Sequence, residues 1–160
     1  MIKMNHLMFN ILMESKISFK HNVIAKVDEF VNIVFPTIQL IEDNAVLLDS
    51  DSTFRNNGLK YDFIYSKYTD LTGYEGTLNN MRLSDYIILD EVSLVSITLK
   101  LVEKLQKFLQ TKFPDKKFSI SAKIDGDETE VRFHVVRESE PGWLLEDLDG
   151  YMEALLVNNF

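Results

Sequence analysis

The stretch FSISAKIDGDETEVRFHV, residues 118–135, alternates apolar and polar side chains on both sides of the turn-forming Asp125-Gly126-Asp127. Phe118, Ile120, Ala122 and Ile124 share one face of the first arm, and Val131, Phe133 and Val135 share one face of the second. Successive strand side chains point to opposite faces, so the spacing predicts a hairpin over 118–136 with one face buried. Strands covered on one face belong to antiparallel sheets. The same alternation sets His134 between two inward neighbours and predicts it at the surface, away from the hairpin's core.

Upstream of the hairpin the apolar period changes to that of a helix. Val95, Leu99, Val102, Leu105, Phe108 and Leu109 predict a helix over 94–112, with Ser93 as N-cap behind Glu91 and Pro114 closing it. Lys104, Lys107 and Lys112 lie toward its C-terminal end, where cations complement the helix dipole. Phe19, Val23, Ile24, Val27, Phe30, Val31 and Val34 predict a second helix over 19–34, capped by Ser18 and ended by Pro36. Between the helices, 38–41, 45–48, 61–65 and 86–89 read as strands, with Glu42-Asp43-Asn44 and Asn56-Asn57-Gly58 as turns. Residues 69–80 carry Gly73 and Gly76 without a period, which predicts a long surface loop in which Tyr68 and Tyr74 either suit a contact surface or anchor the loop to the core.

The element order lacks strict strand–helix alternation. It predicts an α+β fold, an antiparallel β-sheet with two long helices packed on one face. The 160 residues suit a single domain over 1–160. Within it, 1–17 reads as a flexible or extra N-terminal segment in which Met4, Leu7, Met8, Ile11 and Leu12 are spaced for a helical turn or two. Met13 is as plausible a start as Met1. Lys3, Asn5, His6 and Asn10 interrupt the apolar N-terminus before secretory or membrane-spanning length, so a cytoplasmic protein without membrane contact is expected.

The chain has no cysteine, which removes disulfides, thiolate catalysis and thiolate metal sites, and leaves His6, His21 and His134 as nitrogen ligands. No metal, no cofactor and no catalytic residue is expected. Charge is the informative quantity. Residues 1–124 balance fifteen basic against fifteen acidic side chains, whereas 125–160 hold ten acids against Arg132 and Arg137, so the net charge of −8 comes from the last segment. A field of that sign repels nucleic acid and anionic membrane and speeds encounter with a cationic protein surface.

Two short motifs test for chemistry. Val46-Leu47-Leu48-Asp49-Ser50-Asp51-Ser52-Thr53 resembles the nucleophile motif of haloacid-dehalogenase-type phosphotransferases, in which two aspartates flank a magnesium ion. That family also has a parallel sheet and a downstream acid pair, and neither is legible here, so a polar turn after an edge strand accounts for these residues. The Asp125-x-Asp127 turn lacks the glycine that a calcium loop places at its sixth position, where Glu130 stands.

The C-terminal constellation remains. From Arg132 the second hairpin strand runs through Arg137, Glu138 and Glu140 to Pro141-Gly142 and the single Trp143, then to Glu146, Asp147, Asp149, Tyr151 and the apolar run 154–157. Over 118–157 the chain resembles the small bacterial immunity proteins that neutralise polymorphic toxins, including those of contact-dependent growth inhibition. The resemblance implies a cytoplasmic, acidic inhibitor, monomeric when bound, that occludes a secreted toxin domain, commonly a nuclease. The residues lead to the same class: an inhibitor of a phosphate-binding site needs a concentrated acidic face with an aromatic anchor. Glu138, Glu140, Glu146, Asp147 and Asp149 supply the charge, with Trp143 and Tyr151 as anchors, and Trp143 also fits core packing beneath the sheet. A binding protein and not an enzyme is thus expected. A rival from another class is a secretion chaperone resembling those of type III effectors, which act as dimers with apolar grooves.

Overall fold

A computed structural model of the chain describes residues 1–14, 21–85, 91–126 and 128–160. Its elements follow in the order β1 (Ile2–Met4), α1 (His6–Glu14), α2 (His21–Val34), β2 (Ile38–Ile41), β3 (Ala45–Leu48), α3 (Thr53–Asn57), α4 (Tyr61–Tyr68), α5 (Leu71–Leu78), β4 (Asn80–Arg82), α6 (Glu91–Lys112), β5 (Phe118–Asp125), β6 (Glu128–Val135) and β7 (Ala154–Asn159).

The hairpin forms where the alternation predicts it, with β5 and β6 paired antiparallel from Phe118↔Val135 to Asp125↔Glu128. Gly126 turns the chain with a φ of 61°, which a residue without Cβ adopts at no steric cost. β7 pairs with β5, β1 with β7 and β4 with β6, so five of the described strands build an antiparallel sheet ordered β1-β7-β5-β6-β4, while β2 and β3 pair with each other in a separate two-stranded sheet. The α+β class holds. The inward residues of β5 and β6 meet Val27 and Phe30 of α2, Leu101, Leu105 and Leu109 of α6, and Met8 of α1 in one core. Two of the α6 lysines also tie it to its neighbours, since Lys104 pairs with Asp28 of α2 at 2.9 Å and Lys112 donates to the Ile38 carbonyl.

α6 starts at Glu91, which puts Ser93 inside its first turn and not at its cap. Ser18 and the strand expected over 86–89 lie outside the described residues. The N-terminal segment, over its described residues 1–14, carries β1 and α1. Asn5 sets the join: its amide donates to the Glu153 carbonyl at 2.7 Å and accepts from the Leu155 and Met8 amides at 3.0 Å, capping α1 against β7.

Two expectations in the middle of the chain are corrected. Residues 61–65 are not a strand but the start of α4. The alternating Tyr61, Phe63 and Tyr65 suggested a period of two, yet Phe63 and Tyr65 are exposed and the buried residue is Ile64, with Tyr61 and Tyr68 on its helical face. Residues 69–80 are not a loop but α5 followed by the start of β4. Asp70 caps α5 by accepting from the Gly73 amide at 2.7 Å, and Leu71, Tyr74 and Glu75 are buried at helical spacing. Tyr74 is therefore a core residue, edge-on to Tyr68 and Phe54, and not part of a contact surface. The glycines that suggested a loop serve close approach, because a Cβ on Gly73 would lie 2.5 Å from the Tyr68 carbonyl.

α3, α4 and α5 close a second apolar cluster over the β2–β3 hairpin, around Leu47, Ile64 and Tyr74. This unit is joined to the sheet through polar side chains of α5 and of the residue that caps its C-terminus. The fully buried Glu75 accepts from the Val46 amide of β3 at 2.8 Å and the Val135 amide of β6 at 2.7 Å, and Arg137 donates to it from both terminal nitrogens at 2.8 and 2.9 Å. Asn79 accepts from the Leu48 amide and donates to the Val46 and Phe133 carbonyls. A buried charge that loses its partner is left without solvent, a cost of about 3–5 kcal/mol. Glu75→Gln and Arg137→Met should each lower the unfolding free energy by about 3 kcal/mol, and the double variant by clearly less than the sum; additive losses in urea titrations would mean that the two side chains are not coupled.

Candidate functional site

β5, β6 and β7 have a second face, turned away from the helices. Leu155 and Val157 of β7 lie there in a small cluster with Leu144, Leu148 and Tyr151, while Ala154 and Leu156 join the main core. The apolar run 154–157 is thus a strand buried on both faces, and periodicity alone does not separate such a strand from a helix. Residues 136–153 cross this second face as a strap.

The strap is fastened at several points. Arg137 holds the Glu75 carboxylate and donates to the Asn44 carbonyl at 2.7 Å. Burial works against the Arg137 charge, but the hydrogen bonds and charge of Glu75 raise its pKa above the ordinary value. Glu140 accepts from the Thr72 amide at 2.8 Å at the start of α5. Trp143 packs on Gly76, where a Cβ would come within 2.6 Å of the indole. Further on, the Tyr151 hydroxyl accepts from the Leu145 amide at 3.1 Å, Asp147 from the Asp149 amide at 3.1 Å, and Asp149 from both the His6 amide and ring at 2.8 and 2.9 Å.

The seven residues singled out by sequence therefore share one segment but not one role. Glu138, Glu146 and Asp147 are exposed and make no ion pair among the described residues, whereas Glu140 and Asp149 serve the fold and Asp147 also caps the turn at 148–150. Trp143 and Tyr151 are half-buried anchors of the strap. The exposed apolar residues of this segment are Val136, Leu145 and Met152.

Between the strap and the sheet lies a cleft of about 270 Å³ bordered by Ser119, His134, Trp143 and Glu146, among others. His134 was expected at the surface and is instead 7% exposed. It does point away from the main core, but the strap roofs the face it points to, and no local pattern announces a roof made by residues further along the chain. Its Nδ1 lies 3.1 Å from the Val135 carbonyl. Burial lowers the His134 pKa below the ordinary 6.5, against that hydrogen bond and the Glu75 charge. Sequence reading also missed Glu75 and Asn79; the signal was the stripe Leu71, Tyr74, Glu75, Leu78, which treating 69–80 as a loop concealed.

The Asp49 motif has a structural task. Its buried carboxylate accepts from the amides of Phe54 at 2.9 Å and Arg55 at 3.2 Å, and from the Arg55 Nε at 3.3 Å, capping α3. Among the described residues no group of three His, Asp or Glu side chains is placed to share a metal ion, and no helix is long and apolar enough to cross a membrane.

The family model described as the uncharacterized protein PM0498 family matches residues 3–160. The uncharacterized protein PM0498 of Pasteurella multocida (strain Pm70) is 24% identical over 168 residues, covering 98% of both chains. No solved structure matches the chain.

Two outcomes test the strap. Alanine is the better helix former by about 1 kcal/mol, yet Gly76→Ala should lift the single Trp143 off α5, shift its fluorescence to the red and quicken its quenching by acrylamide; an unchanged spectrum would mean that the contact does not hold the strap. For His134, a folded pKa below 6.5 means that the unfolded chain takes up the proton first as pH falls. Stability is then full above 6.5 and declines through the folded pKa below it. His134→Gln should flatten the fall in urea midpoint between about pH 7.5 and 5.5, and parallel curves for the two proteins would assign that fall to other groups.

Proposed function

We propose that this chain, which belongs to the uncharacterized protein PM0498 family, is a cytoplasmic immunity protein that occludes the basic surface of a bacterial toxin domain, most simply a nuclease. The observation that carries this is the strap: Glu138 and Glu146 stand exposed, without ion pairs among the described residues, on the same segment as the exposed Leu145 and Met152. Unpaired acids around apolar side chains suit a protein partner with cationic and apolar contacts, since the charge steers encounter and the apolar groups gain from desolvation. Backing also matters. An inhibitor surface loses less entropy on binding when it is already ordered, and Trp143, Glu140 and Tyr151 hold this one against α5 and the sheet.

A second reading has its own observation. Ile2 and Met4 of the edge strand β1, with Phe9 and Met13 of α1, are exposed apolar residues, and a secretion chaperone that acts as a dimer would use such an edge. Sizing the free protein separates the two, since a stable dimer favours the chaperone.

The direct test is co-expression with a toxic domain, sought first in the genes that flank this one. Growth should be rescued, and the purified proteins should associate quickly, with a rate that falls steeply as salt rises. Reversing Glu138 and Glu146 to Lys should slow association by about tenfold or more at low salt and leave folding intact. Rescue combined with unchanged association and salt dependence would place the interface away from the strap; failure to rescue would remove the immunity function itself.

A further inference from the structure

The cleft under the strap contains a hydrogen-bonding group that the fold leaves open. The His134 ring is 7% exposed, and the Val135 carbonyl beside its Nδ1 can only accept, which fixes the ring proton on Nδ1. Nε2 then carries a lone pair, and among the described residues it has no partner. The ring borders the cleft together with the Ser119 hydroxyl, the free carboxylate of Glu146 and the indole of Trp143. Ser119 stands directly opposite His134 across the β5–β6 pair, so two groups with free lone pairs share one row of the sheet.

Two cations among the described residues border the cleft. Arg137 acts on His134 but is paired with Glu75, whose opposite charge acts on the same ring in the opposite direction. Lys3 sits on β1, three strands away from His134 in the sheet order, which is about 14 Å at the usual strand spacing. What a ligand meets beside His134 is a set of acceptors, a carboxylate and an aromatic ring. That set is complementary to a group made only of donors, planar, cationic and weakly hydrated.

We propose that the cleft receives a guanidinium group, and specifically an arginine side chain presented by the protein partner of the strap, with His134 Nε2 and Glu146 accepting from it and Trp143 bordering it. The source of the arginine rests on the immunity function proposed above; the cation site itself does not. Glu138 then acts as a steering charge outside the cleft, while Glu146 belongs to it.

The test uses the full chain with 15N-labelled histidine and N-acetyl-L-arginine amide as probe, with N-acetyl-L-citrulline amide as its neutral counterpart of the same shape. The arginine probe should shift the His134 Nε2 resonance saturably and the citrulline probe should not. Glu146→Gln, on an exposed side chain with no part in the fold, should weaken the arginine response about two- to fivefold. A silent Nε2 resonance up to the solubility limit of the probe, equal responses to the two probes, or an unaltered affinity in Glu146→Gln would each overturn the inference. Growth rescue by a protein that gives no arginine response overturns the guanidinium site and leaves the immunity function standing. An arginine response in a protein that gives no rescue upholds the site and removes the toxin as its source.

Discussion

The Glu75 carboxylate is where the parts of this molecule meet. It lies on α5, is fully buried, and takes hydrogen bonds from β3, from the end of β6 and from Arg137 at the root of the strap. A carboxylate without water is tolerated only when its lone pairs are occupied and its charge is matched, and here each donor comes from a different structural unit. The small helical unit, the main sheet and the strap therefore share one electrostatic requirement. Apolar contact can be redistributed among many residues; this arrangement cannot, because each donor has a direction.

Around that point the fold divides into a conventional half and an unusual one. The helical face of the sheet is covered by α1, α2 and α6 through apolar packing that follows directly from helical and strand periods. The other face carries a mixture: Leu155 and Val157 in a small apolar cluster beside Ser119 and His134. A strap without regular structure over most of its length covers it, pinned by Trp143 on Gly76, by Glu140 on the Thr72 amide and by Asp149 on His6. Because the pins are few and separated along the strap, space remains beneath it. The acids of 125–160 then split by task, some fastening the strap and some facing solvent, which turns a compositional excess of charge into a surface with an inside and an outside.

The chemistry of both proposals follows from that division. Charges that fasten the strap cannot also bind a partner without loosening it, so the proposed recognition rests on Glu138 and Glu146 and on the apolar Leu145 and Met152. His134 connects the two roles, held by the sheet and roofed by the strap.

The sequence by itself determined the hairpin of β5 and β6, the helices α2 and α6, the β2–β3 hairpin and the acidic character of the last segment, because each of these is encoded in near neighbours: a period of two, a period of 3.6, a proline stop or a local run of charge. It misassigned α4, where Tyr61, Phe63 and Tyr65 imitate a strand, and α5, where glycines needed for close approach to Tyr68 and Trp143 look like loop residues. It put His134 at the surface because alternation reports which face a side chain takes and not what covers that face. Only the tertiary structure decided that Glu75 and Arg137, 62 residues apart in sequence, would share a buried ion pair, that Asp149 would cap the chain at His6, and that the strap would close over the second face of the sheet. These are long-range polar contacts, set by the directions in which a completed fold leaves its donors and acceptors, and no window of local sequence contains both partners.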